Sequence, residues 1–219
     1  MKNVISIVLL SVIAFNLIGQ DREREKEKER PFFKGSFQLP TTIANHSFKT
    51  LMSGVSDVGF SFNVPVSKSM HLGIILQHSY FTFNDLAIPE RTNASMQIAG
   101  TSLAVGYTVT TSEKFSMEFA INGGYSYILT SSETCLQSTG NKMHKKGGVS
   151  IKPDLTLFIR SSEYLSFGIV FSYQLVLSEF GPSNLCLSEF DGSFAADYIG
   201  PSHLFGIGFG FKANIPPKR

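Results

Sequence analysis

The sequence of 219 residues is long enough for one domain, and 42% of its residues are apolar whereas only 16% are charged; an average soluble domain has about 25% charged residues. The formal net charge of +2 is too small to indicate a nucleic-acid partner. Basic patches interleaved with aromatic residues, which a nucleic-acid surface needs, are absent from the sequence.

The first twenty residues have the layout of a secretory signal peptide. Lys2 gives a short basic region, an apolar core runs from Val4 to Phe15, and the small residue Gly19 precedes a very polar stretch. A membrane-spanning helix is the alternative, but it needs about 20 apolar residues, and this core is shorter and interrupted by serines. We therefore expect residues 1–20 to be removed on export, with no cysteine near the cleavage point to carry a lipid anchor.

Residues 21–31 form a charged arm in which both signs are mixed from Asp21 to Arg30. This run has nothing apolar to bury, so we expect a solvated, disordered or loosely helical tether in the periplasm. A charge run of this kind can also contact a partner, which is the alternative interpretation.

From residue 32 to residue 212, apolar residues recur with period two, the spacing that places side chains on opposite faces of a β-strand. In the clearest segment, seven apolar residues from Leu165 to Leu177 alternate with mostly small or polar ones. Eight segments have this pattern: Phe33–Leu39, Val58–Val66, Met70–Tyr80, Leu103–Val109, Phe115–Leu129, Val149–Ile159, Leu165–Leu177 and Phe205–Phe211. The sequence therefore predicts an all-β domain of eight strands.

The connections between the segments alternate in length. Short ones occur at residues 67–69, 111–113 and 161–163, whereas long ones occur at about 40–54, 84–95, 130–147 and 178–201. Short periplasmic turns and long extracellular loops are typical of transmembrane barrels. We therefore predict an eight-stranded antiparallel up-and-down transmembrane β-barrel over residues 32–212 in the bacterial outer membrane, followed by a short tail at 213–219.

The composition of the two faces decides which one meets lipid. The polar face consists mainly of Gly, Ser, Ala, Thr and Asn, and an eight-stranded interior is only just wide enough to be filled by side chains. The other face carries most of the large aromatic residues, as expected for a lipid-facing band. A soluble lipocalin-like binder, with its apolar face inside, is the alternative.

A few ionisable residues fall on the interior face: Glu118, Lys152, Asp154 and Arg160. An isolated buried charge is costly, so we expect these four side chains to form a salt-bridged network that plugs the lumen. A proton or ion path is the alternative, but it needs a continuous wet pore that so narrow a barrel rarely has.

The two cysteines, Cys135 and Cys186, lie in the third and fourth long loops, which are neighbours on one rim. In an oxidising envelope we expect them to form a disulfide that ties these loops together. Only His144 is near them, too few ligands for a metal site, and no cofactor is expected.

Catalytic motifs are absent: there is no GxSxG elbow, no HExxH, no phosphate-cradling glycine loop and no CxxC. His78 and Ser79 are adjacent in one strand and so point to opposite faces, and a Ser–His pair would need a serine from a neighbouring strand. The glycines of FGIGFGF have strand spacing and are interpreted as packing choices. We expect no catalytic residue; a lipid-modifying enzyme built on His78 is the alternative.

The signal peptide, the eight segments and the closing strand LFGIGFGF resemble the PorT-like outer-membrane β-barrel domain family and, more loosely, the small OmpA/OmpX-type barrels. The resemblance covers about Phe32 to Phe211. It implies insertion by the barrel-assembly machinery, with Phe211 as the terminal aromatic that this machinery recognises, although residues 212–219 follow it. The family is functionally mixed and includes a member needed for a protein secretion system.

These observations predict a non-enzymatic outer-membrane barrel without an open pore. Its partners are outer-membrane lipid and, through the extracellular loops, a ligand, a protein or the outside surface. An accessory component of an envelope secretion or transport machine, with the charged arm as its periplasmic contact, is the main alternative.

Overall fold

The structure, a computed structural model, describes residues 30–84, 94–141, 143–181 and 200–216. Within these ranges the chain forms eight strands and two short helices. Their bounds are β1 (Phe32–Ala44), α1 (His46–Leu51), β2 (Met52–Pro65), β3 (Met70–Phe83), β4 (Ala94–Thr110), β5 (Phe115–Ser132), α2 (Glu133–Thr139), β6 (Met143–Arg160), β7 (Leu165–Phe180) and β8 (Gly200–Asn214). The predicted signal peptide, most of the charged arm and residues 217–219 lie outside the described residues.

The strands form one closed barrel in the order β1 to β8. Each strand pairs antiparallel with its sequence neighbours, and β1 pairs with β8 to close the sheet, with Phe32 opposite Asn214 and Phe37 opposite Phe209. The predicted fold, an eight-stranded antiparallel up-and-down barrel, is therefore confirmed. Closure removes the unpaired edges that a sheet cannot expose in lipid.

The three short connections are built in the same way. In each, a serine hydroxyl accepts a hydrogen bond from the backbone N–H three residues later: Ser67 from Met70 at 3.3 Å, Ser112 from Phe115 at 3.1 Å and Ser162 from Leu165 at 3.1 Å. Serine side chains that bond to nearby backbone in this way favour turns over continued strand. These turns form one end of the barrel, here called the short-turn rim, which faces the periplasm in barrels of this class.

The outer face is apolar over the middle of the barrel. Side chains such as Phe209 and Leu103, which are 74% and 69% exposed, alternate with buried neighbours on the same strands. This matches the predicted lipid-facing band and is the reverse of the arrangement in a soluble lipocalin-like binder. No helix in the described ranges is long and apolar enough to cross a membrane.

The strands are longer than the sequence predicted. They have 13 to 18 residues, whereas about 9–11 tilted residues cross a bilayer. The predicted loop at 40–54 is therefore mostly the ends of β1 and β2 with α1 between them. β8 also continues to Asn214, so the first two residues of the predicted tail pair with β1.

Candidate functional site

The lumen of the barrel contains the only large group of buried charges in the described residues. In an eight-stranded barrel each strand lies opposite the one four places along the sheet. Lys34 on β1 and Glu118 on β5 are such a pair, and Lys34 Nζ lies 2.9 Å from Glu118 Oε1. This ion pair therefore crosses the lumen from wall to wall.

Further side chains complete a cluster around this bridge. Lys34 Nζ also lies 2.8 Å from Asp154 Oδ1, and Lys212 Nζ lies 3.4 Å from Glu118 Oε2. The Asn122 amide donates to Asp154 Oδ2 at 2.7 Å. These partners satisfy both carboxylates, and we call Lys34, Glu118, Asp154 and Lys212 the lower cluster.

A second bridge joins another pair of opposite strands. Lys152 on β6 donates to Asp57 Oδ2 on β2 at 2.6 Å, and both side chains are buried. The other oxygen of this carboxylate, Oδ1, has no hydrogen-bond partner among the described residues. Lys152 is thus the group that neutralises Asp57.

The ion-paired charges in the lumen balance. The three cations are Lys34, Lys152 and Lys212, and the three anions are Asp57, Glu118 and Asp154. Burying an ion costs several kcal/mol unless close partners compensate it, and here every ammonium has a carboxylate within 3.4 Å. These six ionised side chains therefore give the lumen no net charge.

The predicted lumen residues divide into two groups. Glu118, Asp154 and Lys152 lie inside, although in two bridges rather than in one network. Arg160 corrects the prediction: its side chain is exposed and makes no ion pair within the described residues. Alternation points it inward, but it is the last residue of β6, so a side chain of this length clears the end of the barrel.

Four lumen residues were missing from the predicted network: Lys34, Asp57, His71 and Lys212. His71 is buried, with Nε2 3.8 Å from Glu118 Oε1. Their inward alternation was the available signal, since Lys34 already stood on the polar face of the first segment.

The part of the lumen farther from the short-turn rim contains a cluster of buried apolar side chains. Phe48 and Leu51 of α1 are fully buried there, and the Phe48 ring packs edge-on against Phe81 and Phe180 at centroid distances of 5.1 and 4.9 Å. We call this buried group the apolar plug; it comprises Phe48, Leu51, Met52, Phe81, Phe83, Met96, Ile98, Ile128, Val176, Phe180 and Leu204. Small polar residues were predicted for the interior face, and this apolar group is the exception to that prediction.

Asn45 connects the apolar plug to the barrel strands by hydrogen bonds. Its side-chain amide donates to the carbonyl oxygens of Phe180 at 3.0 Å and Gly200 at 2.8 Å, while its Oδ1 accepts from the N–H of Phe48 at 3.1 Å. The residue has φ 68°, a left-handed conformation that Asn tolerates better than most residues. One side chain thus caps α1 and joins it to the ends of β7 and β8.

The remaining predicted residues lie elsewhere. Cys135 is buried in α2, and Cys186 lies outside the described residues, so their disulfide stays a prediction. Phe211 is on the outer face of β8, three residues before the strand ends. Among the described residues, no group of three or more His, Cys, Asp and Glu side chains is arranged to hold a metal ion.

His78 is on the outer face of β3, where its direct strand neighbours are Val58 and Ala99. His78 Nε2 is within hydrogen-bond distance of Gln97 Oε1, at 3.2 Å. The serine on a neighbouring strand that a catalytic pair would require is not directly paired with His78.

A closed eight-stranded barrel with an apolar exterior and ion pairs in its interior defines an integral β-barrel protein of the bacterial outer membrane. No family model matches the sequence, and a comparison with curated proteins gave no match.

Among solved structures, the chain is similar to Neisserial surface protein A, with 5% identity, 84% of this chain and 97% of that chain covered and a TM-score of 0.52. It is also similar to outer membrane protein W of E. coli (10% identity, 87% and 100% covered, TM-score 0.49) and to the outer membrane protease OmpT of Escherichia coli (6% identity, 88% and 99% covered, TM-score 0.41). At these identities the likeness concerns the fold alone.

Proposed function

We propose that this protein is a non-enzymatic, non-conducting outer-membrane barrel that presents its extracellular loops to a ligand, a partner or the surrounding surface. The observation that carries the proposal is the double closure of the lumen. Charged bridges span it, and the apolar plug lies in the part farther from the short-turn rim. An open pore would need both to be displaced.

The energetics favour a permanently closed barrel. Separating Lys152 from Asp57 would leave two buried charges without a partner, which costs on the order of several kcal/mol. Withdrawing α1 would expose Phe48 and Leu51 and would break both hydrogen bonds from Asn45 to the wall. Neither step has a compensating contact among the described residues.

The surface role rests on the asymmetry of the two ends. The short-turn rim has three connections of four residues each, whereas the opposite rim carries α1, α2 and the longer connections. In barrels of this class the longer connections are extracellular. The predicted Cys135–Cys186 disulfide would tie two of them together.

Ion currents across a planar lipid bilayer test the closed lumen. We expect no discrete conductance steps from the purified chain. The same is expected after replacement of α1 by a Gly-Ser linker, because the charged bridges stay in place. Stable, voltage-independent steps from the unmodified chain would overturn the proposal.

Surface labelling of intact cells tests the orientation. An epitope inserted at Asn141, beside α2, should be accessible to antibody, whereas the same epitope inserted at Lys68, in the first short turn, should not. Labelling of the second epitope alone would reverse the assignment of the loops.

The surroundings of His78 support the non-enzymatic part of the proposal, because neither of its paired neighbours carries a nucleophile. A His78→Ala strain should therefore keep its lipid A and phospholipid profiles. A changed profile would favour the lipid-modifying alternative.

A second candidate is an accessory barrel of an envelope secretion or transport machine, to which the PorT-like resemblance points. Its support is the anchoring of Arg30, the end of the charged arm, to the short-turn rim by an ion pair to Glu163 at 3.6 Å. Deleting residues 21–29 should then impair secretion or the recovery of co-purifying envelope proteins. Normal secretion and unchanged co-purification would argue against this role.

A further inference from the structure

A cavity of about 150 Å³ opens at the short-turn rim, directly outside the lower cluster. Its lining includes Arg30, Phe32, His71, Arg160, Glu163 and Lys212. We propose that this rim cavity binds a single carboxylate at the end of a periplasmic peptide. This goes beyond the closed-barrel function, which makes no use of the cavity.

The first guanidinium of the rim cavity is held in place. Arg30 makes an ion pair with Glu163 at 3.6 Å, and its guanidinium lies 5.7 Å from the centre of the Tyr164 ring, within the range of a cation–π contact. The backbone beside it is fixed because the N–H of Ile215 donates to the Pro31 carbonyl at 2.9 Å. Arg30 is thus positioned before any ligand arrives.

The second guanidinium provides the charge for an anion. Arg30 is balanced by Glu163, and the six charges of the lumen balance one another. Arg160 also lines the cavity, and within the described residues it has no acidic partner. Counting the described residues alone, the cavity therefore has one surplus positive charge, which one carboxylate would neutralise, whereas a phosphate dianion would leave an excess negative charge.

Guanidinium groups suit this ligand because their parallel N–H donors match the two oxygens of a carboxylate. The rest of the lining fits the peptide that follows. Hydroxyl groups of Thr108, Thr110, Ser116 and Ser166 can bond to a peptide amide, and the Phe32 ring gives an apolar wall. That ring is fixed by Lys212 on its face at 3.9 Å and by His71 at its edge at 5.0 Å.

The size of the cavity fits a terminal residue. One water molecule needs on the order of 10–15 Å³ of such space, so about 150 Å³ accommodates a carboxylate with a small side chain and an amide. A folded domain could present such a group only at a chain end or on a protruding loop.

A titration of the full mature chain in lipid nanodiscs tests the proposal. The probes are N-acetylalanine, its amide N-acetylalaninamide and inorganic phosphate, each followed by the NMR shift of the Asn214 amide at low ionic strength, since salt screens exposed charges. We expect N-acetylalanine to bind and to bind more tightly than either other probe. Arg160→Gln should weaken this binding by about tenfold or more, as expected for the loss of hydrogen bonds to a charged group.

Lys68→Gln is the matched control, because it removes the same charge from the same rim without altering the lining of the cavity. It should leave the affinity within about twofold of the unmodified chain, since surface changes have small effects. Equal binding of acid and amide, tighter binding of phosphate, no binding at all, or an Arg160→Gln variant that binds as well as the control would overturn the proposal. None of these outcomes would alter the expected bilayer currents.

Discussion

Lys34 on β1 and Glu118 on β5, 84 residues apart in sequence, meet at 2.9 Å inside the lumen. Because the two strands lie opposite each other in the barrel, this contact is a strut across the lumen as well as an ion pair. A second strut, Lys152 to Asp57, joins β6 to β2. Charged side chains are thus kept off the lipid-facing surface, and inside the barrel they join opposite strands through ion pairs.

Removing Lys152 should strongly destabilise the barrel. Lys152→Met leaves Asp57 buried without a cation, and breaking a buried pair on one side costs about 3–5 kcal/mol. Equilibrium unfolding in urea, followed by far-ultraviolet circular dichroism because the chain has no Trp, measures the loss.

The double variant Lys152→Met/Asp57→Asn should recover most of that stability, since no unpaired charge is left. Lys68→Met, on an exposed turn, should stay within about 0.5 kcal/mol of the unmodified protein. An equal loss of unfolding free energy in the single and double variants would contradict a stabilising ion pair between Lys152 and Asp57.

Replacing Asn45 should destabilise the protein, because its side-chain amide donates two hydrogen bonds to the barrel wall. Asn45→Gly keeps the positive φ but removes the hydrogen bonds to Phe180 and Gly200 and the cap on Phe48, at a cost of about 1–3 kcal/mol. Asn45→Asp keeps the cap but turns a carboxylate toward two carbonyl oxygens, so it should cost at least as much. Limited proteolysis of the 45–51 segment reports the release of α1, and an Asp variant as protected as the parent would refute this role.

Phe48 should be the main packing residue of the apolar plug. Phe48→Ala removes a fully buried ring between Phe81 and Phe180 and should cost about 3–5 kcal/mol. Phe209→Ala, at a lipid-facing position that is 74% exposed, is the comparison and should cost clearly less in urea unfolding. A smaller effect at position 48 than at 209 would mean that the plug does not pack as described.

The closing strand needs glycine at one position for steric reasons. A Cβ on Gly208 would collide with the backbone of Phe37 and Gln38, whereas a Cβ on Gly123 would meet nothing within 4 Å. Gly208→Ala should therefore slow folding and destabilise the barrel by about 1–3 kcal/mol, while Gly123→Ala should be neutral or slightly stabilising. Refolding into lipid vesicles, scored by the gel shift of the unheated protein, separates the two variants.

The alternation of side chains was enough to predict the strand number, and the lengths of the connections and the composition of the two faces then gave the antiparallel order, the short turns and the lipid face. This worked because period two is a property of each strand alone. It also placed Glu118, Lys152 and Asp154 inside. The pairing of Lys34 with Glu118 was not predictable, because it depends on closure of the sheet and on which strands then lie opposite.

The apolar plug and the position of Arg160 depend on how far the strands extend, which the period of the apolar residues does not give. The apolar plug was missed because Phe81, Met96 and Ile98 continue the inward phase beyond the segments that were predicted as strands. Arg160 was misassigned because alternation gives a direction but not a height along the barrel, and the end of β6 lies at the rim.

The most direct test of the closed, cross-linked lumen is a solid-state NMR measurement of the Lys34 side-chain nitrogen against the Glu118 carboxyl carbon in lipid bilayers. A strong dipolar contact is predicted, corresponding to the 2.9 Å between Lys34 Nζ and Glu118 Oε1, with a single rigid lysine signal. The absence of that contact, or a mobile ammonium that exchanges freely with water, would contradict the account.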